Sequence, residues 1–290
     1  MRYRVIDAQK ATLSVERLCQ FLNVSSSGYY AWRDRQPNRR QLDDMVYLAH
    51  IRSHFSTSHG TYGSPRMHVE LKESRLAMGR HRVARLMREN DLIARQKTRF
   101  KRTTDSDHRH AVAANILNQN FSCDAPDHKW GVDISYIWTA EGWLYLAIVL
   151  DLFSRRIVGW AVSNRIKKDL AIKALQRAVT LRSPPPGLVH HSDRGSQYCS
   201  DDYQTLLANH KLVCSMSGKG NCYDNAMVET VFKTIKPELI WRTCYANRRE
   251  AENAIGQYID GFYNPRRRHS LLGYQSPLQY EAARDATYAA

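Results

Sequence analysis

The sequence has few of the features that mark secreted, membrane-spanning or zinc-binding proteins. It contains six cysteines, but none forms a Cys-x-x-Cys pair and no Cys/His cluster has zinc-finger spacing. No apolar run approaches the roughly 18 residues of a membrane span, and no apolar h-region follows the first residues, which argues against a secretory signal. We therefore expect reduced thiols in a cytosol and no membrane partner.

Acidic residues are also scarce relative to basic ones. The 28 Asp and Glu stand against 43 Lys and Arg, which gives a formal net charge of +15 and a pI of about 9.7. An excess of this size favours a polyanionic partner, with nucleic acid first and an anionic membrane surface second. Solubility alone rarely needs so much charge of one sign.

Two short helical patterns stand near the start of the chain, within residues 13–32. Ser14 is a suitable N-cap for the first pattern, Asn23 supplies a turn, and the second pattern carries Tyr29 and Trp32. Two short helices joined by such a turn resemble a helix-turn-helix, whose second helix enters a major groove. An ordinary helical hairpin in a core is the alternative.

Further helical patterns follow, and basic residues crowd their end. Only Glu89 and Asp91 oppose the basic residues between positions 80 and 102. The run passes from a helix into an extended segment, which favours an arm that grips a DNA backbone over a solvated charged face. The DNA contacts predicted here are Arg85, Arg88, Arg95, Lys97, Arg99, Lys101 and Arg102.

From residue 121 the pattern changes to that of a mixed α/β sheet layered by helices. Apolar and polar residues alternate over the first strand, and the later strands are short apolar runs bounded by turns. The predicted strands cover residues 129–138, 143–151, 157–162 and 187–191, with a helix over 168–181. This is the element order of the RNase H-like fold, preceded here by all-α helix-turn-helix regions.

Three carboxylates stand at informative places in this order. Asp133 lies in the first strand, Asp193 just past the fourth, and Glu229 in a later helical pattern after 35 intervening residues. The fold places the first and fourth strands side by side, so we expect these groups to meet. Close carboxylates repel and need cations. Two Mg²⁺ ions roughly 3.5–4 Å apart, or Mn²⁺ instead, suit such donors and a phosphate. Taken singly, each residue also fits a strand-end polar group or an exposed helix charge, and Asp151 is a weaker fourth candidate.

Other residues near these carboxylates have two readings each. Lys233 and Lys236 share the glutamate's helix face and are candidate DNA contacts. Lys219, in a glycine-containing loop, either grips a DNA end or belongs to an ordinary loop. Asn225 either caps the last helix or supports the metal site. The basic cluster at 266–269 either binds phosphate or packs the tail against the core.

Four stretches carry a resemblance to a known family. They are Trp130-Gly-Val-Asp-Ile-Ser-Tyr-Ile, His191-Ser-Asp-Arg-Gly-Ser-Gln-Tyr, Asn225-Ala-Met-Val-Glu-Thr-Val-Phe-Lys and Tyr263-Asn-Pro-Arg-Arg-Arg-His-Ser. The chain resembles the second-reading-frame transposases of the IS-three family of bacterial insertion sequences, which belong with retroviral integrases among the acidic-triad recombinases. The resemblance covers nearly the whole chain.

The resemblance implies a function for each part of the site. Asp133, Asp193 and Glu229 would be the catalytic carboxylates and the ligands of Mg²⁺, and Lys236 would touch DNA near the cut. The implied activity is hydrolysis at insertion-sequence ends followed by 3′-hydroxyl strand transfer. Double-stranded DNA, both element ends and target, is the implied partner, in the bacterial cytoplasm at the nucleoid.

The resemblance also implies assembly on DNA. Two ends must be held together, so we expect a homo-oligomer, although no heptad seam is visible, and an upstream-frame fusion or partner is a further possibility of the family. Two alternatives stay open: an RNase H-fold nuclease without strand transfer, and a non-enzymatic DNA-binding regulator.

At 290 residues the chain is long enough for several domains. We predict a helix-turn-helix-like region at 1–36, a second helical DNA-binding region at 37–102, a linker at 103–120, an RNase H-like catalytic core at 121–240 and a C-terminal helical extension at 241–290.

Overall fold

A computed structural model describes residues 2–94, 112–218 and 222–288 of the chain. The helices of the first part are α1 (Arg2–Gln9), α2 (Val15–Phe21), α3 (Ser26–Arg33), α4 (Arg39–Thr57), α5 (Ser64–Glu73) and α6 (Arg80–Glu89). The strands are β1 (Lys129–Thr139), β2 (Gly142–Asp151), β3 (Ile157–Ser163), β4 (Val189–Ser192) and β5 (Val213–Met216). The remaining helices are α7 (Lys168–Arg182), α8 (Asp201–Asn209), α9 (Ala226–Glu238), α10 (Arg248–Tyr258) and α11 (Pro277–Tyr288).

The five strands form one mixed sheet in the order β3-β2-β1-β4-β5. β1 pairs antiparallel with β2, where Asp133 stands opposite Ile148, and parallel with β4, where Gly131 stands opposite His191. The predicted neighbourhood of the first and fourth strands is therefore confirmed. The segment that holds α8 and β5 had no predicted elements.

Each face of the sheet covers its own apolar core, because successive side chains of a strand point to opposite faces. On one side Val132 and Val149 pack with Leu175 of α7 and other buried residues. On the other side Ile137 and Ile148 belong to a cluster with residues of α9 and α10. The sheet thus lies between two helical layers, as the α/β prediction required.

The second of these cores extends into the helical region. Ile51 of α4, Leu71 of α5 and Val83 of α6 belong to the same buried cluster as Ile137 and Ile255. Helices α4–α6 and the sheet therefore share one continuous core, although the sequence pattern divides them by a linker.

Helices α1–α3 have a small core of their own. Ile6, Leu18, Cys19 and Tyr29 are buried together, and Ser25 caps α3 by accepting a hydrogen bond from the Gly28 N–H. The predicted helices of residues 13–32 are confirmed, whereas α1 was not predicted. No helix in the described ranges has the length and apolar character that a membrane crossing needs.

The basic cluster at 266–269 holds the C-terminal segment in place. The buried Arg267 guanidinium donates to Glu238, with Nε 2.8 Å from Oε2, and the Tyr258 hydroxyl donates to the same oxygen at 2.6 Å. Arg268 donates to Glu70 Oε1 of α5 at 2.7 Å and also pairs with Glu73. The phosphate-binding interpretation is thus wrong for Arg267 and Arg268, and the tail-packing alternative is confirmed.

This packing yields a prediction for stability. Replacing Arg267 with Met removes the cation that donates hydrogen bonds to the buried Glu238 carboxylate, and breaking a buried pair in this way typically costs about 3–5 kcal/mol. We expect urea unfolding to show a loss of that order for Arg267→Met. The matched control is Arg266→Met, since the neighbouring Arg266 is exposed and exposed substitutions usually stay within about 0.5 kcal/mol. Equal unfolding midpoints for the two variants would contradict the role given to Arg267.

Candidate active site

The structure gathers the three carboxylates predicted from the sequence. Asp133 lies in β1, Asp193 directly follows the last residue of β4, and Glu229 lies in the first turn of α9. Because β1 and β4 run parallel and side by side, the carboxyl end of β4 opens beside the middle of β1. Asp193 and Glu229 both act electrostatically on the Asp133 carboxyl.

The Asp133 carboxyl is the most strongly perturbed member of this group. Burial of the carboxyl is the largest cause, Asp193 is the second, and together with Glu229 they raise the pKa of Asp133 to about 8. The Ile134 N–H, which donates to Asp133 Oδ1 at 2.7 Å, and the nearby Lys236 act in the opposite direction. Without further positive charge, Asp133 therefore keeps its proton at neutral pH.

A tight turn presents Asp193. The Gly195 N–H donates to Asp193 Oδ1 at 2.9 Å, and the Arg194 Nε donates to the Ser217 carbonyl at 2.6 Å, just beyond β5. A Cβ on Gly195 would lie 3.0 Å from Asp193 Oδ1 and 2.7 Å from Gln197 Oε1. The glycine of this Ser-Asp-Arg-Gly turn thus leaves room for the carboxylate to fold back on its own backbone.

The position of Glu229 depends on how closely α9 approaches β1. A Cβ on Gly131 would lie 2.5 Å from Val228 Cγ2 and 3.2 Å from Leu152 Cδ2. The Asn225 side-chain amide donates to the Val132 carbonyl at 3.2 Å, and it makes no side-chain cap bond at the start of α9. Asn225 therefore ties the helix to the strand and is not a side-chain cap, and its support of a metal site stays a prediction.

Glu229 lies near the two aspartates, but the three carboxylates do not surround a common point. Its side chain is 38% exposed and accepts from Lys233 Nζ at 3.2 Å. Within residues 2–94, 112–218 and 222–288, no three His, Cys, Asp or Glu side chains stand close enough to hold a metal ion. An exposed i,i+4 ion pair contributes only about 0.3–0.5 kcal/mol, so rotating Glu229 away from Lys233 costs little.

The donors at this site fit a hard divalent cation. Carboxylate oxygens are the ligands that Mg²⁺ prefers, and positive charge would relieve the repulsion that raises the pKa of Asp133. Tyr198 adds a further observation: its hydroxyl is buried and has no hydrogen-bond partner in the described part of the chain. Burial raises the pKa of Tyr198, and Asp193 and Asp133 raise it further, so this free hydroxyl lies in the field of the same two carboxyls.

Among the candidate DNA contacts on α9, Lys236 has a defined setting. Its ammonium lies 4.9 Å from the centroid of the Tyr136 ring, and burial lowers its pKa. Lys233 is exposed and paired with Glu229. The predicted contact Lys219 lies outside the described residues.

The basic run after α5 divides into described and undescribed parts. Arg85 pairs with Asp44 at 2.7 Å and with Glu89 at 2.9 Å, so its charge is partly neutralised within the chain, whereas Arg88 is exposed. The other predicted contacts lie outside the described residues: Arg95, Lys97, Arg99, Lys101 and Arg102.

Asp151, the weaker fourth candidate, is an anchor for the turn after β2. Its fully buried carboxylate accepts from the Asp127 N–H at 2.8 Å and from the N–H and hydroxyl of Ser154 at 2.9 and 3.0 Å. The ordinary strand-end interpretation holds for this residue.

Two residues at the site, Gly131 and Tyr198, were missed from the sequence. A glycine inside a strand pattern often marks a close backbone approach, and that signal was present at Gly131. Tyr198 gave no comparable signal, because an aromatic residue after a turn is usually part of a core.

Family models match three stretches of the chain. An integrase core domain matches residues 124–222, a second integrase core domain model matches residues 210–277, and an HTH-like domain matches residues 41–100. The HTH-like match falls on α4–α6, the second of the two predicted helical regions.

Relatives match over almost the entire chain. The insertion element IS600 uncharacterized 31 kDa protein of Shigella sonnei is 45% identical over 264 residues, 91% of this chain and 97% of the relative. Transposase InsF for insertion sequence IS3A of Escherichia coli (strain K12) is 39% identical over 288 residues, 97% of this chain and 98% of the relative. Among solved structures, the HTLV-2 integrase catalytic core domain in complex with magnesium aligns with a TM-score of 0.42 and 16% identity, over 55% of this chain and 98% of that chain.

The raised pKa of Asp133 predicts how stability depends on pH. The folded chain keeps this proton up to about pH 8, whereas the ordinary aspartate value is 3.8. The contribution of Asp133 to folding stability is thus fully present below pH 3.8 and is lost as pH rises through about 8. In EDTA, the midpoint of thermal unfolding should fall more steeply with rising pH for the unmodified protein than for Asp133→Asn across this window. If the unfolding midpoints of the two proteins change with pH in parallel, the raised pKa of Asp133 is contradicted.

The close approach at Gly131 predicts a compensating pair of substitutions. Gly131→Ala overpacks the contact with Val228, and overpacking typically costs about 1–3 kcal/mol. Adding Val228→Ala removes the clashing methyl group, so the double variant should recover part of the urea midpoint. Gly261→Ala is the control, because a Cβ there meets no atom within 4 Å. A double variant that unfolds no later than Gly131→Ala would argue against this contact.

Proposed function

This chain belongs to the IS3 (IS-three) family of insertion-sequence transposases, and we propose that Asp133, Asp193 and Glu229 are its catalytic carboxylates and metal ligands. One observation supports the proposal: a strand, a turn and a helix that are far apart in the sequence carry three acidic groups near enough for Asp193 and Glu229 to raise the pKa of Asp133. Perturbed carboxyls of this kind are typical of active sites.

The family relationship and the integrase core match support a DNA transposase. The finer proposal is a two-step phosphoryl transfer. In the first step, water attacks a phosphodiester at an element end, and the bond between phosphorus and the 3′ oxygen breaks, which frees a 3′-hydroxyl. In the second step, that hydroxyl attacks a target phosphodiester and forms a new bond to phosphorus, while the target's own 3′ oxygen leaves. Each step exchanges one P–O bond for another, so no oxidant or energy source is needed.

The residues of the chain supply distinct parts of this chemistry. Two Mg²⁺ ions, or Mn²⁺ in their place, would lower the pKa of the attacking group and neutralise the phosphate. The two aspartates would hold these cations from positions set by β1 and β4, after Asp133 has given up its proton. Glu229 would join them by rotating away from Lys233. Lys236 would neutralise phosphate charge beside the cut.

DNA binding is proposed for several surfaces. The HTH-like match on α4–α6 and the net charge of +15 support contacts to the element ends and to the target. Exposed Arg88 and Lys233 are candidate phosphate contacts, together with the cations outside the described residues. Holding two ends at once calls for a homo-oligomer, with or without an upstream-frame partner, acting at the bacterial nucleoid.

A cleavage and joining assay tests the proposal. Labelled element-end DNA, the purified protein and Mg²⁺ should give both nicked and joined products. Asp133→Asn, Asp193→Asn and Glu229→Gln should each lower both activities by at least about a hundredfold, since each removes a cation ligand whose electrostatic contribution is of order several kcal/mol.

Glu252→Gln is the matched control, because Glu252 is an exposed carboxylate on α10 and should be replaceable without loss. Cleavage without joining would identify a nuclease on this fold instead. Element-end binding without either product would identify a DNA-binding regulator. Retention of full activity by all three triad variants would overturn the catalytic assignment.

A further inference from the structure

The β1–β2 hairpin carries a solvent-exposed aromatic surface beyond the candidate active site. Trp138 and Trp143 stand opposite each other in the register of the two strands, and they are 60% and 42% exposed. On the other face of the same hairpin, Ile137 and Leu144 are buried in the core. The alternation of apolar residues along the strands therefore explains the buried face of the hairpin but not the exposure of the two tryptophans.

These rings form an ordered group with Tyr136, and we call the three residues the aromatic platform. The Trp138 and Trp143 ring centroids are 4.8 Å apart at 76°, and those of Tyr136 and Trp143 are 5.1 Å apart at 89°. Such edge-to-face contacts are favourable. They fix each ring through its neighbour, so the platform has a defined shape before any ligand arrives.

The backbone beneath the platform is also held firmly. The Thr139 hydroxyl donates to the Gly142 carbonyl at 2.7 Å across the turn. The Arg248 guanidinium, from the start of α10, donates to the Trp143 carbonyl at 3.1 Å and to the Glu141 carbonyl at 2.6 Å. A rigid aromatic surface loses little conformational freedom on binding, which favours affinity.

The platform adjoins the proposed active site. The Lys236 ammonium lies 4.9 Å from the Tyr136 ring centroid and also acts on the Asp133 carboxyl. Asp133 and Trp138 lie five residues apart on one strand, which spans about 17 Å at the rise of a strand, and their side chains point to opposite faces of the sheet. Lys236 contacts the Tyr136 ring and also acts on Asp133, so a DNA strand whose phosphate sits at the carboxylates would reach the platform by passing this cation.

The chemistry of this surface favours nucleic acid bases over a protein partner. Aromatic rings beside a cation are how proteins bind unpaired bases, by stacking and by phosphate contact. The exposed parts of the two tryptophans amount to about one whole side chain, at most roughly 250 Å². A stable protein interface needs about 800 Å² on each partner, which the platform does not supply.

We propose that the aromatic platform stacks against unpaired DNA bases next to the phosphate that is cut. The proposal rests on the proposed function for the location of that phosphate, but its binding step needs no catalysis. It assigns the hairpin a specific task, which is to prefer frayed or distorted DNA at the reaction site over a continuous duplex.

Equilibrium binding in EDTA tests this without strand cleavage. Element-end duplexes are compared with the same duplexes carrying three mismatched pairs beside the cut, with 2-aminopurine at one mismatched position. The unmodified protein should bind the mismatched DNA at least about fivefold more tightly and quench the 2-aminopurine, since one stacked base contributes at least that much. Trp138→Ala/Trp143→Ala should lose both the preference and the quenching, while Trp138→Phe/Trp143→Phe should keep most of the preference.

Three further results would decide whether the platform binds unpaired bases. If the double alanine variant keeps the preference and the quenching, the proposal is overturned. It is also overturned if that variant changes only the mass measured by sedimentation, because the surface would then join copies of the chain. Asp193→Asn should keep the preference in this assay. If Asp193→Asn still cleaves DNA, only the catalytic assignment is overturned. A lost preference for mismatched DNA in the double alanine variant would still support the platform.

Discussion

The candidate site depends on a close contact between one helix and one strand. Gly131 leaves no side chain between β1 and α9, and Val228 fills the space that a Cβ would occupy. Asn225 then bonds the start of the helix to the Val132 carbonyl. With the helix so placed, Glu229 reaches the neighbourhood of Asp133, and Lys236 follows two turns later on the same face. Any residue larger than glycine at position 131 would move all of these groups together.

That contact concentrates negative charge where the fold can least neutralise it. Among the described residues, Lys236 offsets only part of the effect of burial, Asp193 and Glu229 on the Asp133 carboxyl, and the pKa of Asp133 rises in consequence. Proteins usually pair or hydrogen-bond buried charges, as this chain does for Glu238 and Arg267. The difference between these two buried clusters separates a structural ion pair from a site suited to binding added cations.

The C-terminal segment links the parts of the molecule that the sequence pattern treats as separate. Arg268 reaches Glu70 and Glu73 on α5, Arg66 of that helix lies 3.8 Å from Glu238, and the apolar core continues from α4–α6 into the sheet. The helices matched by the HTH-like domain thus have a fixed position relative to the carboxylates. Under the proposed function, such a fixed position would set the distance between the DNA bound by these helices and the phosphate that is cut.

The sequence alone determined the first four strands, the places of the three carboxylates along the chain and the basic character, because alternation, turn residues and charge are local properties of the chain. Tertiary structure alone decided the partners of polar groups. By sequence, the basic cluster at 266–269 fits either phosphate binding or tail packing, and distant glutamates pair with Arg267 and Arg268. Asn225 has a strand carbonyl as its partner, and no spacing within its own helix reveals that. Periodicity shows which face of an element is apolar, but the neighbour of a charge depends on which remote segment packs there.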